Sequence, residues 1–190
     1  MRTEQEFLVD VLQRLGQTGI DYMLTGSMAS NYWGIPRTTH DVDLVILLRP
    51  DQVDRMVTAF ESGFFIQRES VRSVFRPPHQ FNALDEQSAL KADFWQLGEN
   101  QFEQEMFRRR MQVELFGTRA WIATAEDVLL HKLFWNQITP SERQLLDAAG
   151  IFAVQTAALD VAYLNRWAAL LRVEAELNEI LSGKRRPKST

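Results

Sequence analysis

The chain has no cysteine. Disulfide bridges and thiolate metal sites are therefore excluded, and any bound metal must rest on other ligands. A run of about eighteen apolar residues, the length a membrane-spanning helix needs, is also missing. So is the apolar stretch of a secretory leader, which makes the cytoplasm the expected compartment and leaves no expected role for a membrane. Basic charge is not in surplus, since 21 Lys and Arg stand against 25 Asp and Glu, a net charge of -4. Bulk charge thus argues against a protein coated in nucleic acid, and DNA is not an expected partner, although a local basic groove remains compatible with that number. Two local basic clusters exist, Arg108 to Arg110 and the tail residues Lys184, Arg185, Arg186 and Lys188; each reads first as a solvated surface and second as an RNA contact.

What is present is ordinary globular material. Hydrophobic residues make up 45% and charged residues 24% of 190 residues, enough to bury a core without covalent staples. Thr3 with Glu6 predicts a capping box, followed by Leu8, Val11, Leu12 and Leu15 at helical spacing and by Gly16 and Gly19 at the helix end. A short strand over 22–24 runs into Gly26 and Ser27, and a helix follows through Ala29 and Tyr32 to Gly34. Residues 41–48 are apolar except for two acids and rich in β-branched side chains, which predicts a buried strand. Pro50 and Asp51 open a helix carrying Val53, Met56, Val57 and Phe60. Residues 64–75 read as one or two strands, 77–80 as a loop, 90–97 as a strand and 99–107 as a short helix. Residues 111–116 and 119–122 read as a hairpin turned at Gly117 and Thr118.

The pattern then becomes helical. Thr124 and Asp127 precede Val128, Leu129, Leu133 and Phe134, and Thr139, Pro140 and Glu142 start a second helix with proline in its first turn. Val161 to Leu171 and Val173 to Leu181 mark two more. The expected organisation is a mixed α/β (α+β) catalytic core over 1–122, a helical region over 123–182 packed on it, and a disordered basic tail over 183–190.

The chemistry concentrates in Gly26-Ser27 and in the segment from Arg37 to Asp43. Residues two apart on a strand point to the same face, so Asp41 and Asp43 project together. Carboxylates that close repel each other, which raises a pKa or calls for a cation. Magnesium answers that need, because it prefers oxygen ligands and shares them with phosphates. Asp93 alternates with Ala92 and Phe94 on another strand; if the two strands are neighbours, it joins the pair. Gly26 allows close backbone approach, Ser27 offers a hydroxyl, and the following helix presents free N–H groups to an anion. Each piece alone has a plainer reading: an Asp-x-Asp at a strand end is also a solvated turn, and Gly-Ser before a helix is also a cap. Arg37 can brace the acidic loop or touch phosphate. His40 reads as a loop histidine, since magnesium prefers oxygen, and His79 and His131 show no partner in the sequence. The five tryptophans read as core packing, with Trp95, two residues from Asp93, also able to stack on a base.

Taken in order, Gly26, Ser27, Asp41, Asp43 and Asp93 resemble the signature of the DNA polymerase β-like nucleotidyltransferase superfamily. That resemblance implies a mixed sheet flanked by helices, two magnesium ions (manganese as substitute) held by the three acids, and transfer of an NMP from an NTP to an acceptor hydroxyl. The segments AEDVLLHKL, 125–133, and SERQLLD, 141–147, are similar to the later motifs of AbiEii-type bacterial nucleotidyltransferases. There, a helix lysine and a later helix aspartate line the nucleotide site, and Lys132 and Asp147 match those positions. With 159–171 the likeness covers most of the chain, while residues 68–86 match nothing in it. It implies tRNA, another RNA or a protein as acceptor, in a toxin–antitoxin context with a cognate antitoxin as partner. A small-molecule (antibiotic) nucleotidyltransferase and a non-catalytic nucleotide-binding module are the alternatives; intact acids at all three positions argue against the last.

Overall fold

The computed structural model describes residues 2–187. The chain divides into two compact units, residues up to 25 with 39–122, and 26–38 with the residues from 123 onward. The first unit holds β1 (Asp21–Leu24), β2 (Asp41–Leu47), β3 (Phe64–Phe65), β4 (Gln80–Asp85), β5 (Lys91–Gln96), β6 (Met111–Leu115) and β7 (Thr118–Ile122). Its helices are α1 (Glu4–Thr18), α3 (Val53–Phe60), α4 (Arg68–Ser73) and α5 (Gln101–Arg109). The second unit holds α2 (Gly26–Trp33), α6 (Ala125–Ile138), α7 (Glu142–Gln155), α8 (Val161–Leu171) and α9 (Glu174–Leu181).

All seven strands form one mixed sheet in the order β3-β4-β5-β2-β1-β7-β6. Strand β2 runs antiparallel to β1 and parallel to β5, and β4 runs antiparallel to β5. The alternation along β2 decides its faces: Val42, Leu44 and Ile46 are buried and Asp41, Asp43 and Val45 only partly so. The buried face is clad in phenylalanine. Phe60 of α3 meets Phe94 of β5 edge-on at 5.5 Å, Phe81 of β4 stacks on Phe94 at 4.9 Å, and Phe7 of α1 lies 5.8 Å from Phe64. Such ring pairs add to the burial of large apolar area. One face of the sheet is thus committed to the core, and the other mixes apolar side chains such as Met23, Val45 and Trp95 with the acids of β2 and β5. Thr3 and Glu6 make the expected capping box, Thr3 N–H donating to Glu6 at 2.8 Å and Glu6 N–H to Thr3 Oγ1 at 3.2 Å. The helix passes through Gly16 and stops at Gly19, which adopts a φ of 64°.

In the second unit the chain just after α2 passes close against α7. A Cβ built on Gly34 would lie 2.8 Å from Ile151 N and 3.0 Å from Gly150 C, so only glycine fits there. Asp127 is fully buried yet satisfied, accepting from Thr124 Oγ1 at 2.7 Å and from the Tyr163 hydroxyl at 2.5 Å.

Several sequence expectations are corrected. Residues 64–75 yield only the two-residue β3, and α4 follows from Arg68; the charged residues between Phe65 and Val71 break the alternation a strand needs. Pro50 opens a 3-10 turn, Pro50–Gln52, ahead of α3. Pro140 is not in the first turn of α7, which starts at Glu142 with Ser141 as N-cap. Arg110 is no solvated residue: it bonds Asp21 at 2.8 Å, and its guanidinium carbon lies 4.1 Å from the Phe107 ring centre. Of the tryptophans, Trp167 is buried, while Trp121 is exposed and Trp33, Trp95 and Trp135 are half-buried. Their indole donors explain two of these: Trp33 Nε1 donates to Ala123 O and Trp135 Nε1 to His131 Nε2. Of the basic tail, Lys184 and Arg185 are tied to Glu179 of α9, and 188–190 lie outside the described residues. Among the described residues, no helix is long and apolar enough to cross a membrane.

Candidate active site

Strand register settles how the acids of the first unit are arranged. Asp43 of β2 stands opposite Asp93 of β5, with Asn82 of β4 beyond it. One pleat along the same face, Asp41 stands opposite Lys91, with Leu84 beyond it. In the next row the other way, Val45 stands opposite Trp95 and Gln80. The three acids therefore share one face of two adjacent parallel strands, as residues of period two must.

They are not bare. Lys91 Nζ lies 2.7 Å from Asp93 Oδ2 and 3.6 Å from Asp41 Oδ1. The bond to Asp93 raises the Lys91 pKa, against the opposing effect of burial, and the charge of Asp41 adds to the rise. Asp93 is buried, and its other oxygen, Oδ1, has no hydrogen-bond partner among the described residues. An unmatched carboxylate oxygen at a buried position is costly unless a cation or donor completes it. Thr25, whose N–H donates to Asp43 O at 3.0 Å, likewise buries a hydroxyl oxygen with no partner among the described residues. Among the described residues no three His, Cys, Asp or Glu side chains are gathered as a ready metal cage. The donor set still suits a hard cation: all carboxylate, on one face, with one oxygen unsatisfied. His40 is exposed, its Nδ1 3.4 Å from Glu4.

The second unit gathers the other predicted residues. Gly26 and Ser27 open α2, with Gly26 at a φ of 62°. Arg37 binds Asp147 through Nε at 2.8 Å and through a terminal nitrogen at 2.9 Å, and that same nitrogen donates to Ser27 Oγ at 2.8 Å. Lys132 Nζ lies 2.9 Å from Asp147 Oδ2, and both side chains are nearly inaccessible, at 7% and 6%. Lys132 is thus an interior residue rather than a surface lysine of an amphipathic helix. Burial pushes the Asp147 carboxyl up, but the bond from Arg37 and the charge and bond of Lys132 outweigh it and hold the pKa below 3.8. Asp147 thus serves two cations, Arg37 and Lys132. His131 beside Lys132 is the opposite case. Burial first, and the Lys132 charge second, push its imidazole down to about 3, so it is neutral and accepts from Trp135.

Sequence reasoning passed over Lys91 and Thr25. Lys91 carried a signal, because it sits two residues before Asp93 and so shares its face. Thr25 carried none; its place beside Asp43 depends on strand pairing.

The chain matches no family model and no curated protein. Solved structures do share its fold. An antigenic nucleotidyltransferase-like protein from Paracoccidioides brasiliensis superposes with a TM-score of 0.56 at 19% identity, over 98% of this chain and 94% of that one. The structure of ANT(2")-Ia with adenylyl-2"-tobramycin gives 0.59 at 10% identity, over 92% and 99%. The lincosamide antibiotic adenylyltransferase LnuA, lincomycin-bound, gives 0.56 at 14% identity, over 80% and 98%. The fold is therefore the mixed α/β fold of nucleotidyltransferase-like proteins.

Proposed function

We propose that this protein is a metal-dependent nucleotidyltransferase that moves an NMP from an NTP to an acceptor hydroxyl. The observation that carries the reading is the register of Asp43 against Asp93, with Asp41 on the same face and Asp93 Oδ1 buried without a hydrogen-bond partner among the described residues. Asp41, Asp43 and Asp93 would hold the divalent ions, magnesium or manganese. When bound, such ions neutralise the triphosphate and lower the pKa of the acceptor hydroxyl. The remaining work falls to the chain. Ser27 and the free N–H groups of α2 would bind phosphate oxygens. Arg37 and Lys132, oriented by Asp147, would add positive charge for the same anion. The acceptor oxygen bonds to the α-phosphorus, the bond to the bridging oxygen breaks, and pyrophosphate leaves. The proton that the acceptor gives up would pass to solvent or to a site carboxylate oxygen not engaged by metal.

The AbiEii-type likeness of the segments around Lys132 and Asp147 supports RNA, tRNA included, or a protein as acceptor, with an antitoxin as partner. A second reading, a small-molecule acceptor, is supported by the fold shared with an adenylyltransferase bound to lincomycin and with ANT(2")-Ia bound to an adenylylated tobramycin. The test is to incubate the protein with each labelled NTP and magnesium, with total tRNA in one arm and an aminoglycoside and lincosamide panel in the other. Label in RNA or in the protein itself supports the first reading, and label in drug the second. Binding of nucleotide without transfer to any acceptor sinks the enzymatic reading.

A further inference from the structure

The carboxylate face carries its own cation. Lys91 lies opposite Asp41 across the β2–β5 pairing and reaches both Asp93 Oδ2, at 2.7 Å, and Asp41 Oδ1, at 3.6 Å. Its ammonium therefore spans the row occupied by Asp41 and the row occupied by Asp43 and Asp93. That is the place where the acids would have to converge to share a metal, and as the side chains stand no three-carboxylate cage exists among the described residues. The lysine is not locked in: its side chain is 37% exposed, on a flexible four-carbon stem that can swing away.

We propose that Lys91 is an internal counter-ion that keeps the acids closed to free divalent metal and yields when the metal arrives with a triphosphate. The inference rests on the reading of Asp41, Asp43 and Asp93 as metal ligands. A free divalent ion must displace the ammonium and leave it without an anion. A metal–triphosphate complex brings its own phosphate oxygens, and the displaced ammonium can bind one of them. The exchange then keeps every charge paired, because the lysine passes from carboxylate to phosphate as the metal passes from solvent to carboxylate. Lys91 is in this sense a positioning residue that makes metal loading depend on nucleotide.

The test measures Mn2+ binding by electron paramagnetic resonance on the full chain, with and without α,β-methylene analogues of the four NTPs, which cannot be cleaved. Wild type, Lys91→Met and Lys91→Arg are compared, with Lys91→Gln as a second neutral variant should Lys91→Met not fold. Without nucleotide, the neutral variant should bind Mn2+ roughly tenfold or more tighter than wild type, the scale of one charge-assisted hydrogen bond removed. Lys91→Arg should stay as weak as wild type. With analogue, wild type should gain affinity far more than the neutral variant does. Equal affinity of neutral variant and wild type for free Mn2+, with wild type binding Mn2+ in the presence of analogue, overturns the role of Lys91 and leaves the metal site standing. No Mn2+ binding by any of the proteins, with or without analogue, overturns the metal site and this inference with it.

Discussion

Arg37 and Asp147, 110 residues apart, meet through two guanidinium nitrogens at 2.8 and 2.9 Å. The pairing fixes both ends of a cluster in which Lys132 is the second cation and Ser27 the outlying hydroxyl. The sharing of Asp147 by Arg37 and Lys132 has measurable consequences.

Asp147→Asn leaves Lys132 interior and uncompensated, and should cost about 3–5 kcal/mol, the range for breaking a buried pair from one side. Lys132→Met should cost clearly less, since Asp147 keeps both bonds from Arg37 and the methionine stem fills the space. Urea denaturation of the two variants is the check. Equal losses would mean that Arg37 does not hold Asp147 as described.

Two groups of the second unit contribute to the acid limb of stability. Asp147 has a depressed pKa, so its contribution is present above the unfolded value of 3.8 and is lost as pH falls through its lower folded value. His131 has a folded pKa of about 3 against 6.5 unfolded. The unfolded chain therefore takes up a proton that the folded one refuses, and stability declines as pH falls from 6.5 towards 3, by at most about 1.4 kcal/mol per unit. His131→Gln, which keeps an acceptor for Trp135, should flatten the decline between pH 6 and pH 4. An unchanged slope would show that the imidazole is protonated in the folded protein.

Gly34 and Gly150 face the same helix crossing but should respond differently. A methyl on Gly34 meets the backbone of Ile151 at 2.8 Å, whereas one on Gly150 meets Ile35 N at 3.4 Å, a tight but adjustable contact. Gly34→Ala should cost about 1–3 kcal/mol through forced separation of α2 and α7. Gly150→Ala should be nearly neutral, because up to about 1 kcal/mol of helix propensity offsets the crowding. Thermal melts decide, and a neutral Gly34→Ala would refute the close crossing.

Asp41→Asn tests catalysis against folding. Its pairing with Lys91 is long and half-exposed, worth at most about 1 kcal/mol. The melting temperature in chelator should hold to within a few degrees, with no gain from relieved repulsion, because Lys91 already stands among the acids. Nucleotidyl transfer should fall by orders of magnitude. Wild-type transfer by a normally melting variant would remove Asp41 from the proposed machinery.

Much of this was legible in local pattern. The alternation of Val42, Leu44 and Ile46 against Asp41 and Asp43 gave both the strand and the shared face, and Asp93 between Ala92 and Phe94 gave its direction. The capping pairs at Thr3 and Thr124 marked two helix starts. What stayed hidden depends on contacts distant in sequence. Only β2–β5 pairing shows that Lys91 reaches Asp41, and only the crossing of α2 with α7 shows why Gly34 must be glycine. Arg110 looked solvated because Asp21, Phe107 and Trp121 converge on it from separate elements. The expectation of strands over 64–75 fails for a local reason: apolar residues at 64, 65, 66, 71, 74 and 75 do not alternate as a strand requires.

The grouping of residues 26–38 with the C-terminal helices makes the second unit discontinuous. Parting the two units would take three cuts in the backbone, after residues 25, 38 and 122, where a simple tandem arrangement needs one. A fragment ending at Ile122 would keep α2 but lose α6 and α7, and would display the buried Ala29 and Ser30 surface to solvent. Gene-level trimming to the sheet alone is therefore a poor route to a minimal version, because it either strands α2 or removes it together with Ser27 and Arg37.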